Sequence, residues 1–302
     1  MAEKSLRSEG AELDDVLAQL EREHRVKEIS GWDSGFANLN RAIDGIRPGV
    51  HLLIGPPGIG KTSFAKQLLD QVAERSSIRA TFCSFVESKK ELRTKTLARL
   101  SGLDSREIRR GSAYVLHWYG VPRLGSTEAA ELPPSWEKLK RMASEARGWL
   151  DSVYLIECER NTTVQQIEAQ LRTIFRGEPA LIVIDDCQRL GPADQPLHLR
   201  LALVVEQLQS LAASCKAALL ATWPDLEEHT GFPQRWSERT PAADVLMVMQ
   251  TDQERTPKLI EPNQAVVLHI VKNRGGEKGK LSYDFYPASS RFEEIDQPAC
   301  QR

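Results

Sequence analysis

The run Gly55-Pro56-Pro57-Gly58-Ile59-Gly60-Lys61-Thr62 has the residue types and spacing of a phosphate cradle. It matches G-x-x-x-x-G-K-[ST] at every fixed position. Glycines let a backbone wrap an anion with its N–H groups turned inward. A helix starting where the loop ends presents its N-terminus to the same anion. Lys61 would reach the β- and γ-phosphates as a point charge, Thr62 would ligate Mg²⁺, and Ser63 would close the nucleotide-binding loop. The implied cofactors are ATP and Mg²⁺.

Such a loop needs a second carboxylate on the magnesium side, at the end of another apolar strand. Ala180-Leu181-Ile182-Val183-Ile184-Asp185 supplies it, with Asp185 emerging where α/β ligands gather. Asp186 beside it reads equally well as a solvent-facing residue. Hydrolysis also needs a group to orient or deprotonate water. Glu87 directly follows the apolar run Ala80–Val86, the first strand expected after the loop helix. With those two strands as neighbours, Glu87 would reach over the γ-phosphate. Near the C-terminus, Lys272 and Arg274 are two apart on an expected strand and so share a face, ahead of a Gly275-Gly276 turn. On spacing alone they read equally as solvated hairpin cations.

The elements that must position these residues alternate. Strand-like runs are Val50–Ile54, Ala80–Val86, Val153–Ile156, Ala180–Ile184, Ala217–Thr222 and Val245–Met249. Helix-like runs lie between them at Ser63–Glu74, Lys90–Leu100, Ser135–Leu150, Thr163–Phe175 and Leu199–Ser214. Continuous apolar strands alternating with helices predict an α/β domain with a mainly parallel sheet covered by helices. Ala265–Arg274 and Lys280–Tyr286, joined by a Gly-rich turn, predict a C-terminal antiparallel hairpin. Residues 1–28 read as a polar N-terminus and a short helix on Leu13, Val16, Leu17 and Leu20, packed on its own domain or docked on a neighbouring subunit.

The 302 residues are enough for one sizeable core, and 41% apolar with 27% charged residues excludes wholesale disorder. Five scattered cysteines without a CxxC pair argue against a disulfide framework or zinc site. No apolar run approaches the ~18 residues of a membrane span. No secretory signal is evident, so a cytoplasmic location is expected. A net charge of −2 leaves any nucleic-acid binding to local patches.

Several motifs together resemble DnaB-type replicative helicases. Phe85-Val86-Glu87-Ser88-Lys89-Lys90-Glu91-Leu92, then Leu97 to Gly102 and Ile108 to Gly111, is similar to the family's second motif. Ser34-Gly35-Phe36 and Gly45-Ile46-Arg47-Pro48-Gly49 are similar to its approach to the P-loop strand. Ile184-Asp185-Asp186-Cys187-Gln188 resembles I-D-Y-L-Q, Ala243-Asp244-Val245 a strand start, and Val271 to Gly279 with Ser290-Arg291-Phe292 its closing hairpin. The resemblance implies a RecA-like P-loop NTPase fold over residues 29–302. It also implies a hexameric ring with ATP between subunits, moving on single-stranded nucleic acid. By position, Glu87 becomes the catalytic carboxylate and Gln188 a sensor joining the ATP site to the nucleic-acid loops. Lys272 and Arg274 become cations reaching a neighbour's γ-phosphate. Residues 1–28 take the place of the linker helix, and 112–132, with His117-Trp118-Tyr119 and Arg123, read as an insertion.

The departures keep other functions open. Thr222-Trp223 stands where the family usually has Ser-Gln, and tryptophan cannot accept a hydrogen bond as glutamine does. The two loop regions that hold nucleic acid in the family are short. Their cations (Arg189, His198, Arg200; Arg235, Arg239) are diluted by Asp194, Asp225, Glu227 and Glu228. An ATPase switch or assembly factor with a protein partner is therefore the alternative. A nucleotide kinase leaves the Lys-x-Arg hairpin unexplained.

Overall fold

A computed structural model describes residues 29–110, 134–190, 196–225 and 242–295, with positions 10, 13, 16–18, 21, 236 and 240. The helices are α1 (Ala37–Ile43), α2 (Lys61–Ser76), α3 (Lys89–Ser101), α4 (Ser105–Arg110), α5 (Pro134–Leu150), α6 (Val164–Phe175) and α7 (Leu197–Cys215). The strands are β1 (Gly49–Gly55), β2 (Arg79–Ser84), β3 (Val153–Glu157), β4 (Ala180–Asp185), β5 (Ala217–Pro224), β6 (Val245–Thr251), β7 (Gln264–Asn273), β8 (Gly279–Tyr286) and β9 (Arg291–Ile295).

These strands form one sheet in the order β3-β2-β4-β5-β1-β6-β7-β8-β9. The first six are parallel and the last three antiparallel. The central strands β4 and β5 are buried at every position, as strands covered on both faces must be. Alternate side chains point to opposite faces. On one face Ile182 and Ile184 meet Ile167 and Leu171 of α6 and Leu201, Val204 and Leu208 of α7. On the other, Leu181 and Val183 join a core with Leu39 of α1, Phe64 and Leu68 of α2 and Leu92 of α3. Phe64 stacks on Phe36 and meets Tyr283 and Phe292 edge-on, which fastens α2 to the antiparallel strands.

The sequence locates most elements to within two residues, including the C-terminal hairpin. Two expectations about strands fail. First, β1 and β2 are not neighbours, because β5 and β4 lie between them. Second, β2 stops at Ser84, not Val86. The Ser84 hydroxyl accepts from the backbone N–H of Val86 (3.3 Å) and Glu87 (2.9 Å), turning the chain out of the sheet. Helix α4 and the separate strand β9 also go beyond the predicted elements. The described N-terminal positions 13, 16–18 and 21 are helical, and Leu13, Val16 and Leu17 are exposed. The stretch 112–132 and residues 226–235 lie outside the described residues, as do Asp194 and Arg239 and the side chain of His198.

Candidate active site

Gly55 ends β1, and Gly60 caps α2 with φ +97°, a left-handed conformation that favours glycine. A Cβ at Gly60 would also meet the Phe285 ring at 2.8 Å and the Phe292 ring at 2.9 Å. Pro57 and Gly58 form the exposed tip, Pro56 is half-buried, and Ile59 and Ser63 are buried anchors. Lys61 folds back over the loop, its Nζ donating to the carbonyls of Gly55 (2.8 Å) and Pro56 (2.9 Å). Burial pushes its ammonium pKa down, and Asp186, Asp185 and Asp225 oppose that shift.

Thr62 Oγ1 donates to Asp185 Oδ2 at 2.9 Å, so the two expected metal-side residues meet. Thr222 Oγ1 donates to Asp185 Oδ1 at 2.7 Å and accepts from the Asp186 amide at 2.8 Å. Asp185 is almost wholly buried, which raises its pKa to about 6, with the two threonine hydroxyls opposing and Asp186 and Glu87 reinforcing the shift. Asp186 sits at φ +57° and accepts from Gln188 Nε2 at 3.1 Å. A continuous hydrogen-bond chain therefore runs Thr62, Asp185, Thr222, Asp186, Gln188.

Glu87 reaches this centre by a route other than the expected one. Its strand adjoins β4, with Ser84 opposite Asp185, and not β1. Glu87 lies three residues beyond the strand, where its charge acts on Asp185. Lys95 of α3 pairs with its Oε1 at 3.2 Å.

Arg274 and Lys272 lie elsewhere. Arg274 Nη1 pairs with Asp244 Oδ1 at 2.8 Å, and Asp244 Oδ2 accepts from the Val50 amide at 2.9 Å. Lys272 Nζ reaches the Thr240 carbonyl at 3.4 Å. Its pKa is lowered by burial and by Arg274, with Asp244 opposing. Both cations thus gather at the starting end of β1. The P-loop is at the other end, about 20 Å away at ~3.3 Å per residue over Gly49–Gly55. Arg274 is 61% exposed.

Past Gln188 a groove of about 640 Å³ opens, with Arg160, Arg189 and Arg200 in its lining and, among the described residues, no carboxylate. Arg200 Nη1 donates to the Gln188 carbonyl at 3.3 Å, linking the groove to the hydrogen-bond chain. Trp223 is 1% exposed and packs in the core, so it has no stacking surface to offer.

The sequence reading missed Ser84, which turns Glu87 out of the sheet, Asp244, which holds Arg274, and Lys95, which holds Glu87. Only Asp244 left a trace, as part of a strand-start motif. Ser84 acts through a local hydroxyl contact, and Lys95 through the packing of α3 on α2.

The DnaB-like helicase C terminal domain family matches residues 31–223 of this chain. The replicative DNA helicase DnaB of Pasteurella multocida (strain Pm70) is 22% identical over 286 residues, which are 88% of this chain and 56% of that protein. The replicative DNA helicase DnaB of Treponema pallidum (strain Nichols) is 22% identical over 294 residues, 92% of this chain and 59% of that one. The chain thus spans little more than half the length of these relatives. A solved ATPase domain matches at a TM-score of 0.74 and 20% identity, covering 94% of this chain and 99% of its own. A DnaB-like replicative helicase, solved with its interactions with primase, matches at a TM-score of 0.73 and 19% identity, covering 93% and 67%. The expected α/β fold, mainly parallel with antiparallel C-terminal strands, is the fold of these neighbours.

Proposed function

Because the chain belongs to the DnaB-like helicase C-terminal domain family, we propose that it is an ATP-hydrolysing motor. It assembles as a homo-oligomeric ring, of six subunits as in the resemblance, and moves on single-stranded nucleic acid. The observation that carries this reading is the division of the site. The P-loop, Asp185 and Glu87 gather at one end of β1, while Arg274 and Lys272 stand at the other. One subunit cannot bring both halves to one nucleotide, but adjacent subunits can.

The residues suit Mg-ATP. Thr62 Oγ1 and Asp185 Oδ2 are oxygen donors of the kind Mg²⁺ takes, and a nearly buried carboxylate gains from a cation beside it. The ion would neutralise phosphate charge, and Lys61 would leave its own loop carbonyls for the β- and γ-phosphates. Glu87 would take the proton of the attacking water, and Arg274 of the neighbour, helped by Lys272, would stabilise charge on the transferred group. The exposed Leu13, Val16 and Leu17 support docking of the N-terminal helix on another subunit. The cationic groove beside Gln188 supports strand binding, with Gln188 relaying occupancy to Asp185 through Asp186 and Thr222. The ATPase domain is residues 29–302, preceded by the linker-like helix. A primase, whose interactions with the DnaB-like helicase above are known, is the first protein partner to test.

ATP turnover with and without single-stranded DNA tests the reading. Strand-stimulated, salt-sensitive turnover that Lys61→Ala abolishes is expected. Nucleotide-driven assembly without strand stimulation would replace the motor with a switch.

A further inference from the structure

The pairing of Glu87 with Lys95 distinguishes the two oxygens of one carboxylate. Oε1 is held by Lys95 Nζ at 3.2 Å. Oε2 is buried and has no hydrogen-bond partner among the described residues. Buried acceptors in folded proteins are almost always satisfied, so an orphan in a cluster of charges points to a ligand atom that completes it.

Lys95 is itself fixed to the nucleotide loop. Its Nζ donates to Ser63 Oγ at 3.3 Å, and Ser63 directly follows Thr62 on α2. The Glu87 backbone is fixed separately by the Ser84 hydroxyl at 2.9 Å. Helix α3 is anchored at its start by the Ser88–Glu91 capping box. It is also held to α2 by buried Asp70, which accepts from Lys66 at 2.5 Å and Arg99 at 3.0 Å. The Lys95 ammonium therefore sits at a set height above the P-loop, and the Glu87 carboxylate hangs from it.

We propose that Lys95 is a positioning residue for Glu87: it holds Oε1 and leaves Oε2 as the acceptor for the attacking water. The proposal rests on the reading of Glu87 as the group that activates water. In that step the water oxygen bonds to the γ-phosphorus and the bond to the bridging oxygen breaks. ADP leaves with that electron pair, and one water proton passes to Oε2. Lys95 touches none of the reacting atoms. It removes the freedom of Glu87 to swing its carboxylate away, so its effect falls on turnover and not on nucleotide affinity.

Steady-state ATP turnover of the full chain with single-stranded DNA tests this, using Lys95→Met, Lys95→Gln, Lys95→Arg, Glu87→Gln and the double variant Glu87→Gln/Lys95→Met. Lys95→Met and Lys95→Gln should lower kcat by about 10-fold or more, with KM within about 2-fold of the parent. Lys95→Arg should stay within about 3-fold in kcat, because the cavity of about 120 Å³ beside the pair has room for a guanidinium. The double variant should be no slower than Glu87→Gln alone, since Lys95 acts only through Glu87. A further drop in the double variant equal to that in the single one overturns the proposal, as does parental kcat in Lys95→Met while Glu87→Gln is slow. Parental turnover in Glu87→Gln overturns the underlying reading of Glu87 instead. If Lys95→Met does not fold, the Arg and Gln variants decide: equal loss in both contradicts positioning by charge.

Discussion

Replacing Asp185 with asparagine should stabilise the nucleotide-free protein while disabling its metal site. Burial raises the Asp185 pKa from 3.8 to about 6. The difference of about 2 units corresponds to ~3 kcal/mol of destabilisation when the carboxyl is charged. The sign follows from proton binding. The folded carboxyl holds its proton more tightly than the unfolded one, so the folded state binds more protons between pH ~4 and ~6. Stability is lost as pH rises through that window, and the full penalty is present above it. Asp185→Asn removes the charge, but its amide must fit the hydroxyls of Thr62 and Thr222 that now donate to the carboxylate. Hydroxyls can rotate to accept, so about 1–2 kcal/mol of the penalty should be recovered. Urea unfolding without nucleotide or Mg²⁺ checks this at pH 8 and pH 4.5. The variant should have the higher midpoint at pH 8, with the difference shrinking toward the lower pH. Its affinity for Mg-ATP should fall at least ~10-fold. A variant no more stable than the parent at pH 8 would refute the reasoning, because Asp185 would then not be a strained, charged group awaiting a cation.

Asp70→Asn should destabilise by about 3–5 kcal/mol in urea unfolding, because Asp70 is fully buried and the change leaves the Lys66 and Arg99 cations without their carboxylate. Trp223→Ala should lower stability by about 3–5 kcal/mol through the cavity it leaves, while nucleotide affinity measured well below the variant's unfolding midpoint stays near parental.

The fold was legible because its signals are local. Four apolar residues after Ala180 announce a buried strand, and the glycine spacing before Lys61 announces a loop between strand and helix. The meeting of Thr62 with Asp185 was legible for the same reason, since both sit at the ends of such strands or at the loop that follows. Glu87 was proposed from its place after β2 and from the resemblance, but β2 does not adjoin β1. Strand order is set by how crossovers pack, which no residue near Glu87 encodes, and β4 and β5 were not placed between β1 and β2. The end of β2 depends on one serine hydroxyl competing with the ladder, a contact that propensity does not register. Lys95 was not singled out in the sequence, because its partner Ser63 is 32 residues away. The fate of Trp223 could not be read from its type, since a tryptophan after an apolar strand can stack in a cleft or fill a core. Here continuous burial of β5 decides for the core.

The central claim is that ATP is hydrolysed between subunits, with the P-loop from one and Arg274 from the next. Mixing two inactive variants tests it most directly. Arg274→Ala keeps an intact P-loop, and Lys61→Ala keeps an intact finger. Each alone should turn over ATP at least ~100-fold more slowly than the parent, on the scale of a finger supplied in trans. Co-assembled, interfaces that join a sound P-loop to a sound Arg274 should restore part of the activity. Full activity of Arg274→Ala alone would contradict the account, as would turnover per subunit that stays constant down to dilutions at which the protein is monomeric.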